Sequence, residues 1–190
     1  CAAPFVFRED LIVVVAIDER SLRELQQWPW PRSWHGRLVK TLKEAGATLI
    51  AFDIVLAGPS GGAEGADVPL EEWGESDSAE DEALAREIRR AGNVILAATF
   101  SDEENRTQSD LSAGVSAAEM PYHAFADAAL AVAPTNIPRD ADNVVRRYWL
   151  TLGHQDTAYP TLAVVVAAQS LGVSPESLVS ELASGDAGNP

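Results

Sequence analysis

Two aspartates, two tryptophans and two arginines are the residues whose types and spacing could do chemistry in this chain. Asp18 closes the apolar run Leu11–Ile17, and Asp53 stands near the downstream end of a second run, Thr48–Leu56. If both runs are parallel strands, the carboxylates share the carboxyl edge of a sheet, where open α/β sheets bind ligands. There they could hold a divalent cation through oxygen, or an amine. Equally, they could cap nearby helix amides or pair with Arg32. Trp28 and Trp30 flank a proline, which suits an aromatic wall for an organic cation or apolar ligand, or else a stiff buried turn. Arg32 offers a planar fork for a carboxylate, with one of those two aspartates as the expected partner. Arg146 follows a turn rich in Asn and Asp (Asn136, Asp140, Asp142) and could bridge that region to the acidic edge, although turn chemistry alone accounts for the Asn and Asp.

Other patterns fall away on inspection. Gly58-Pro-Ser60-Gly-Gly62 has the letters of a nucleophile elbow, but such an elbow needs a helix immediately after it. The residues that follow, Ala-Glu-Gly-Ala-Asp-Val-Pro, do not supply one. The same glycine-rich stretch lacks the Lys-Ser/Thr ending of a phosphate-binding loop. His35, His123 and His154 form no paired metal-ligand spacing and are read as surface or packing residues. Cys1 is the sole cysteine, so internal disulfides and multi-cysteine zinc sites are excluded. Asn105-Arg-Thr107 matches a glycosylation sequon, to which no role is given. No catalytic residue, metal site or cofactor is assigned.

Strands and helices must position the six candidates. Leu11–Ile17 is continuously apolar and largely β-branched, as in a strand buried on both faces. Ser21-Leu-Arg-Glu24 has capping-box spacing and predicts a short helix to about Gln27. Trp28-Pro29-Trp30-Pro31 cannot lie inside a helix. Arg32–Ala45 regains helical spacing, with Trp34, Leu38, Leu42 and Ala45 on one face and Gly46 as the stop. With strand Thr48–Leu56 this makes a βαβ unit, expected to cross over right-handed.

Ala57–Asp77, rich in Gly, Pro and acid, reads as an exposed mobile loop. Ser78 caps a helix to about Ala91, Asn93–Phe100 is a third strand, and Ser101–Ala118 a second polar loop. Pro121–Ala128 is a short helix. Leu130–Ile137 and Val144–Leu152 are expected to pair as an antiparallel hairpin across Pro138–Asn143. Pro160–Leu171 is an apolar helix, and Ser174–Pro190 adds one more before a frayed end. The expected architecture is α/β: one domain over residues 1–190, core about 11–172, with a mixed sheet, mostly parallel at its centre, flanked by helices.

A formal charge of −15 over 190 residues repels phosphate backbones and anionic lipid, so nucleic acid is excluded as a partner. It suits a cationic ligand, or simply solubility. No run reaches the roughly 18 apolar residues of a membrane helix. A first residue other than Met fits an excised or processed piece, with a lipid-modified Cys1 as the alternative.

Several of these features arrive in a set order. A strand ends in Ala-Ile-Asp18, followed by Trp28-Pro-Trp-Pro-Arg32, a helix, and Ala-Phe-Asp53-Ile. After these come Gly92-Asn-Val-Ile-Leu-Ala, Asn136, Asp140-Ala-Asp-Asn143, Val-Val-Arg146-Arg147 and Tyr159-Pro-Thr-Leu. This order, and the Trp-Pro-Trp-Pro-Arg stretch above all, resembles the CHASE2 family from about Leu11 to Gly172. The long acidic loop at Ala57–Asp77 departs from it.

The resemblance implies a non-catalytic sensor outside the cytoplasmic membrane, in bacterial receptors ending in nucleotide cyclases, histidine kinases, Ser/Thr kinases or diguanylate cyclases. Its expected partners are an unidentified small ligand or environmental signal, flanking membrane helices and a cytoplasmic output domain of the same protein, with homodimerisation open. The alternative is a dimerisation or partner-binding module without a small ligand. The expected ligand-contact residues are Asp18, Trp28, Trp30, Arg32, Asp53 and Arg146.

Overall fold

The strongest local signals lie in the stretch from Ser78 to Ser101, and the structure follows them closely. A computed structural model describes residues 12–26, 28–60, 78–101, 114–115, 117–137, 140, 142, 144–154 and 157–184. The chain divides into two units, Cys1–Trp30 and Pro31–Pro190.

In the first unit, helix α1 spans Glu19–Leu25. Its cap is Asp18, not Ser21: Ser21 N–H donates to Asp18 Oδ1 at 2.8 Å and Asp18 N–H donates to Ser21 Oγ at 2.9 Å. The reciprocal box therefore begins three residues earlier than the Ser21–Glu24 spacing suggests. Ile12–Asp18 forms no strand, and Ile12, Val13, Val14 and Val15 are 64%, 82%, 82% and 54% exposed. The expectation of a buried central strand here is corrected. A strand needs a neighbour for its backbone groups, and among the described residues of this unit there is none.

The second unit is layered. Helix α2 spans Arg32–Glu44, strand β1 Ile50–Ala51, helix α3 Ala79–Ala91 and strand β2 Val94–Ser101. β1 pairs parallel with β2, Ile50 opposite Val94, so β1–α3–β2 is the βαβ unit, one step later in the chain than expected. Strand β5, Ala131–Pro134, lies parallel to β2 with Ile95 opposite Ala131. Strand β4, Ala117–Glu119, runs antiparallel to the end of β2 and begins within the last residues of the expected polar loop.

The hairpin expected between Leu130–Ile137 and Val144–Leu152 is corrected. The antiparallel hairpin joins β6, Thr151–His154, to β7, Thr157–Pro160, and strand β3, Gly114–Val115, lies parallel to β6. Leu130–Ile137 instead follows the central strand, because a run apolar on both faces is satisfied only between two covered layers.

Alternation along β2 divides the core. Val94 and Leu96 face α2, α3 and α4 (His123–Ala126), where Val39, Leu84, Ile88 and Phe125 are fully buried. Ile95 faces helix α5, Leu162–Leu171, through Val165. Ala98 and Phe100 cluster with Leu152 of the hairpin, packed by Trp149 and Tyr159. Asn136 extends the β5 ladder with its side chain. It accepts from Phe100 N–H at 2.9 Å and donates to Phe100 C=O at 2.6 Å. Thr161, fully buried, donates to Trp149 C=O at 2.9 Å and ties the hairpin to the start of α5.

The buried face of α2 is Arg32, His35, Gly36 and Val39, one residue round from the Trp34–Leu38–Leu42 face expected. Ala57–Ser60, expected to be exposed, is partly buried, and Gly58 is buried. Residues 61–77, the rest of that loop, lie outside the described residues, as does the sequon. Helix α6, Pro175–Ser184, completes the unit. Among the described residues no single helix is long and apolar enough to cross a membrane; α5 and α6 qualify only together and are bent by 102°.

Ser78 caps α3 as expected, accepting from Asp81 N–H at 3.2 Å. Its hydroxyl also donates to Asp81 Oδ2 at 2.9 Å. Ser78→Ala removes both bonds and is expected to cost about 1–2 kcal/mol, read from the shift in a urea unfolding midpoint. Ser78→Asn should restore part of that loss.

Candidate functional site

Helix periodicity places two opposite charges on apolar faces. On α2, Arg32 shares its stripe with His35, Gly36 and Val39; on α3, Asp81 shares its stripe with Leu84, Ala85 and Ile88. Arg32 is 5% exposed and Asp81 0%. Burial at that depth requires pairing, and the two face each other, Arg32 Nε to Asp81 Oδ1 at 3.8 Å.

Around them a small polar cluster is built from three chain segments. Arg32 donates at 3.3 Å to the carbonyls of Ala57 and Gly58. Asp81 Oδ2 accepts from Ser60 N–H at 2.8 Å, and the hydroxyls of Ser60 and Ser78 touch. The guanidinium also lies over the Phe125 ring of α4, 5.5 Å from its centroid. One turn along α2, His35 is 3% exposed with its ring 6.1 Å from that of Phe52. Burial, followed by the Arg32 charge, holds the imidazole at a pKa of about 4, so it is neutral at pH 7.

Three of the six candidates, Asp18, Trp28 and Trp30, lie in the first unit, and Arg32, Asp53 and Arg146 in the second. Asp18 caps α1, and Ser21, through its N–H and then its hydroxyl, holds that carboxyl below the usual range. Trp28 and Trp30 do meet, edge to face with centroids 5.6 Å apart across the cis Trp28–Pro29 bond, and Trp28 is 53% exposed. Asp53 is exposed just beyond β1. Arg32 pairs with Asp81 of α3, where Asp18 or Asp53 was the expected partner.

Arg146 donates to Asp140 at 2.9 Å and to both oxygens of Asp142 at 2.9 and 2.7 Å, while Arg147 donates to Asp140 at 2.8 Å. Arg147 first and Arg146 second hold Asp140 low, and Arg146 is the main cause at Asp142. This fork is exposed and closes on its own turn, so Arg146 bridges to no other candidate among the described residues.

Asp81, His35 and Ser60 were not among the residues singled out for binding. Their signal was present: a charged residue in register with an apolar stripe must be buried beside a partner. The three histidines all pack on aromatic rings, His123 on Tyr122 at 4.3 Å and His154 on Phe100 at 5.3 Å. Among the described residues no group of three or more acidic, His or Cys side chains converges as a metal site. Among the described residues, shallow grooves of about 240 Å³ beside Lys43 and Arg90 and of about 350 Å³ beside Arg89 and His123 open on the surface.

The second unit is thus a three-layer α/β unit with a buried charge cluster between α2 and α3. Comparison with protein families is specific: the CHASE2 domain matches residues 3–187, nearly the whole chain. The chain belongs to the CHASE2 family, whose members are extracytoplasmic sensory domains of membrane signalling receptors and are not catalytic. No curated protein and no solved structure matches it.

Proposed function

We propose that the whole chain, residues 1–190, is one sensory input domain. A ligand or a change in the medium outside the membrane shifts its conformation, and flanking membrane helices pass that shift to a cytoplasmic cyclase, kinase or diguanylate cyclase. Membership of the CHASE2 family over residues 3–187 is the observation that carries this reading. The signal acts only through its differential affinity for two conformations.

Of the six candidate residues, Asp18, Trp28 and Asp53 are exposed with an aromatic face or carboxylate, and the −15 charge favours a cationic ligand. Asp18 and Arg146 would have to exchange their present partners for a ligand. Arg32, enclosed with Asp81, serves as a positioning residue that holds Ala57–Ser60 against α3. A thermal-shift screen of the purified chain against divalent cations, amines, amino acids, nucleotides and carboxylates tests the ligand. Occupancy at a hundred times Kd stabilises the folded state by about 2.7 kcal/mol. The reading predicts a shift that Asp53→Ala removes.

A second reading, a partner-binding module, is favoured by one observation: the exposed apolar run Ile12–Val15. It predicts a flat screen together with a melting temperature that rises with protein concentration.

A further inference from the structure

We propose that the segment around Val144 is a self-complementary docking surface, through which a second copy of this chain pairs about a two-fold axis. The sequence Asp140-Ala-Asp-Asn-Val-Val-Arg-Arg-Tyr148 carries two acids at one end and two arginines at the other, so its charges cancel within a chain of −15. Copies with that net charge repel each other across acidic surfaces, and a contact between them belongs where the local charge vanishes. A two-fold contact also sets one patch against itself in reverse order, so the patch must be its own complement. This segment meets that demand. With the axis at Val144, Asp142 of one copy stands opposite Arg146 of the partner subunit, and the same pairing repeats on the other side of the axis.

The fold holds the segment ready. Asp140 N–H donates to Val144 C=O at 3.0 Å and closes the turn. Arg146 grips Asp140 and both oxygens of Asp142, while Arg147 donates to Asp140 at 2.8 Å. These bonds leave capacity for a second copy. Arg147 uses one of the five N–H groups of a guanidinium in that bond, and Asp142 Oδ2 accepts one bond where it has two lone pairs. A segment already fixed by its own ion pairs loses little freedom on docking.

Apolar surface lies between and beside the charges. Val144, Val145 and Tyr148 are 45%, 49% and 41% exposed. The segment leads into β6, whose pairing with β7 starts only at Thr151. The β-branched and aromatic residues before that point favour an extended backbone and lie outside any ladder among the described residues. An antiparallel second copy would supply both the ladder and the apolar cover. The proposal rests on the partner-binding reading and names its partner, but it does not use the run Ile12–Val15.

Sedimentation equilibrium of the purified chain from about 1 to 500 µM, the range of a small symmetric contact, is the test. The average mass is expected to rise from 20.3 kDa toward twice that value. Val145→Asp leaves the fork intact and is expected to weaken association at least about tenfold, because it sets an unpaired carboxylate in the contact. Two charge variants, Arg146→Asp with Arg147→Asp and Asp140→Arg with Asp142→Arg, should each stay monomeric alone and associate when mixed. A wild-type chain that stays at 20.3 kDa throughout would overturn the proposal. So would a dimer that Val145→Asp leaves unchanged. If Val14→Asp dissolves that dimer instead, the contact lies on the Ile12–Val15 run, and the partner-binding reading stands without this surface.

Discussion

Arg32→Ala is expected to destabilise the chain by about 3–5 kcal/mol, because it strands a fully buried carboxylate. The magnitude separates this pair from the others on the molecule. Arg20–Glu24 and Arg86–Glu82 are exposed pairs four apart on helices, with side chains more than 60% accessible, and pairs of that kind contribute about 0–1 kcal/mol. Asp81 is 0% exposed, and without Arg32 it keeps, among the described residues, Ser60 N–H and the Ser78 hydroxyl. Those two bonds place the loss toward the lower end of the range. Adding Asp81→Asn to Arg32→Met should recover part of it, since the buried charge goes too. Urea unfolding of the two single variants and the double variant measures the coupling, and purely additive losses would deny the pairing.

Phe125→Ala is expected to cost a similar amount, about 3–5 kcal/mol, for a different reason. The ring is fully buried in the α2–α3–α4 layer and meets Tyr122 edge to face at 5.6 Å. Removing it opens a large cavity and also uncovers one face of the Arg32 guanidinium. Phe125→Leu fills most of the space but offers no ring to the cation, so it separates the two contributions. Loss of less than about 1 kcal/mol in the alanine variant would mean that the layer collapses around the gap.

Much of the fold was legible where local signals and tertiary demands agree. Ser78 and Gly92 bracket α3 because a hydroxyl cap and a left-handed stop act within a few residues. β2 was legible because a run apolar on both faces needs cover on both. The errors arose where local pattern leaves the partner open. Leu11–Ile17 reads as a strand by composition, yet pairing is a property of a neighbour that composition does not carry. The hairpin was misplaced because the long apolar runs flank a turn-rich stretch, while the true hairpin strands, Thr-Leu-Gly-His and Thr-Ala-Tyr-Pro, are short and carry little apolar signal.

The candidate site shows the same division. Arg32 was singled out correctly for carboxylate pairing, but the wrong aspartate was chosen: strand ends were weighed, and the acidic residue on the apolar face of α3 was not. Family order was more informative than any single residue, since each motif is weak alone. Its structural roles are now visible in the Asn136 clamp on Phe100 and the Thr161 tie to Trp149.

The most direct test of the sensory reading is the output of the intact receptor in sealed membranes, measured while the medium on the outer face is changed. Two forms are compared, one carrying this chain and one with the chain replaced by a neutral linker. The account predicts that output follows the outer medium in the first form and is fixed in the second. An identical response in both would place the sensor elsewhere in the receptor and contradict it.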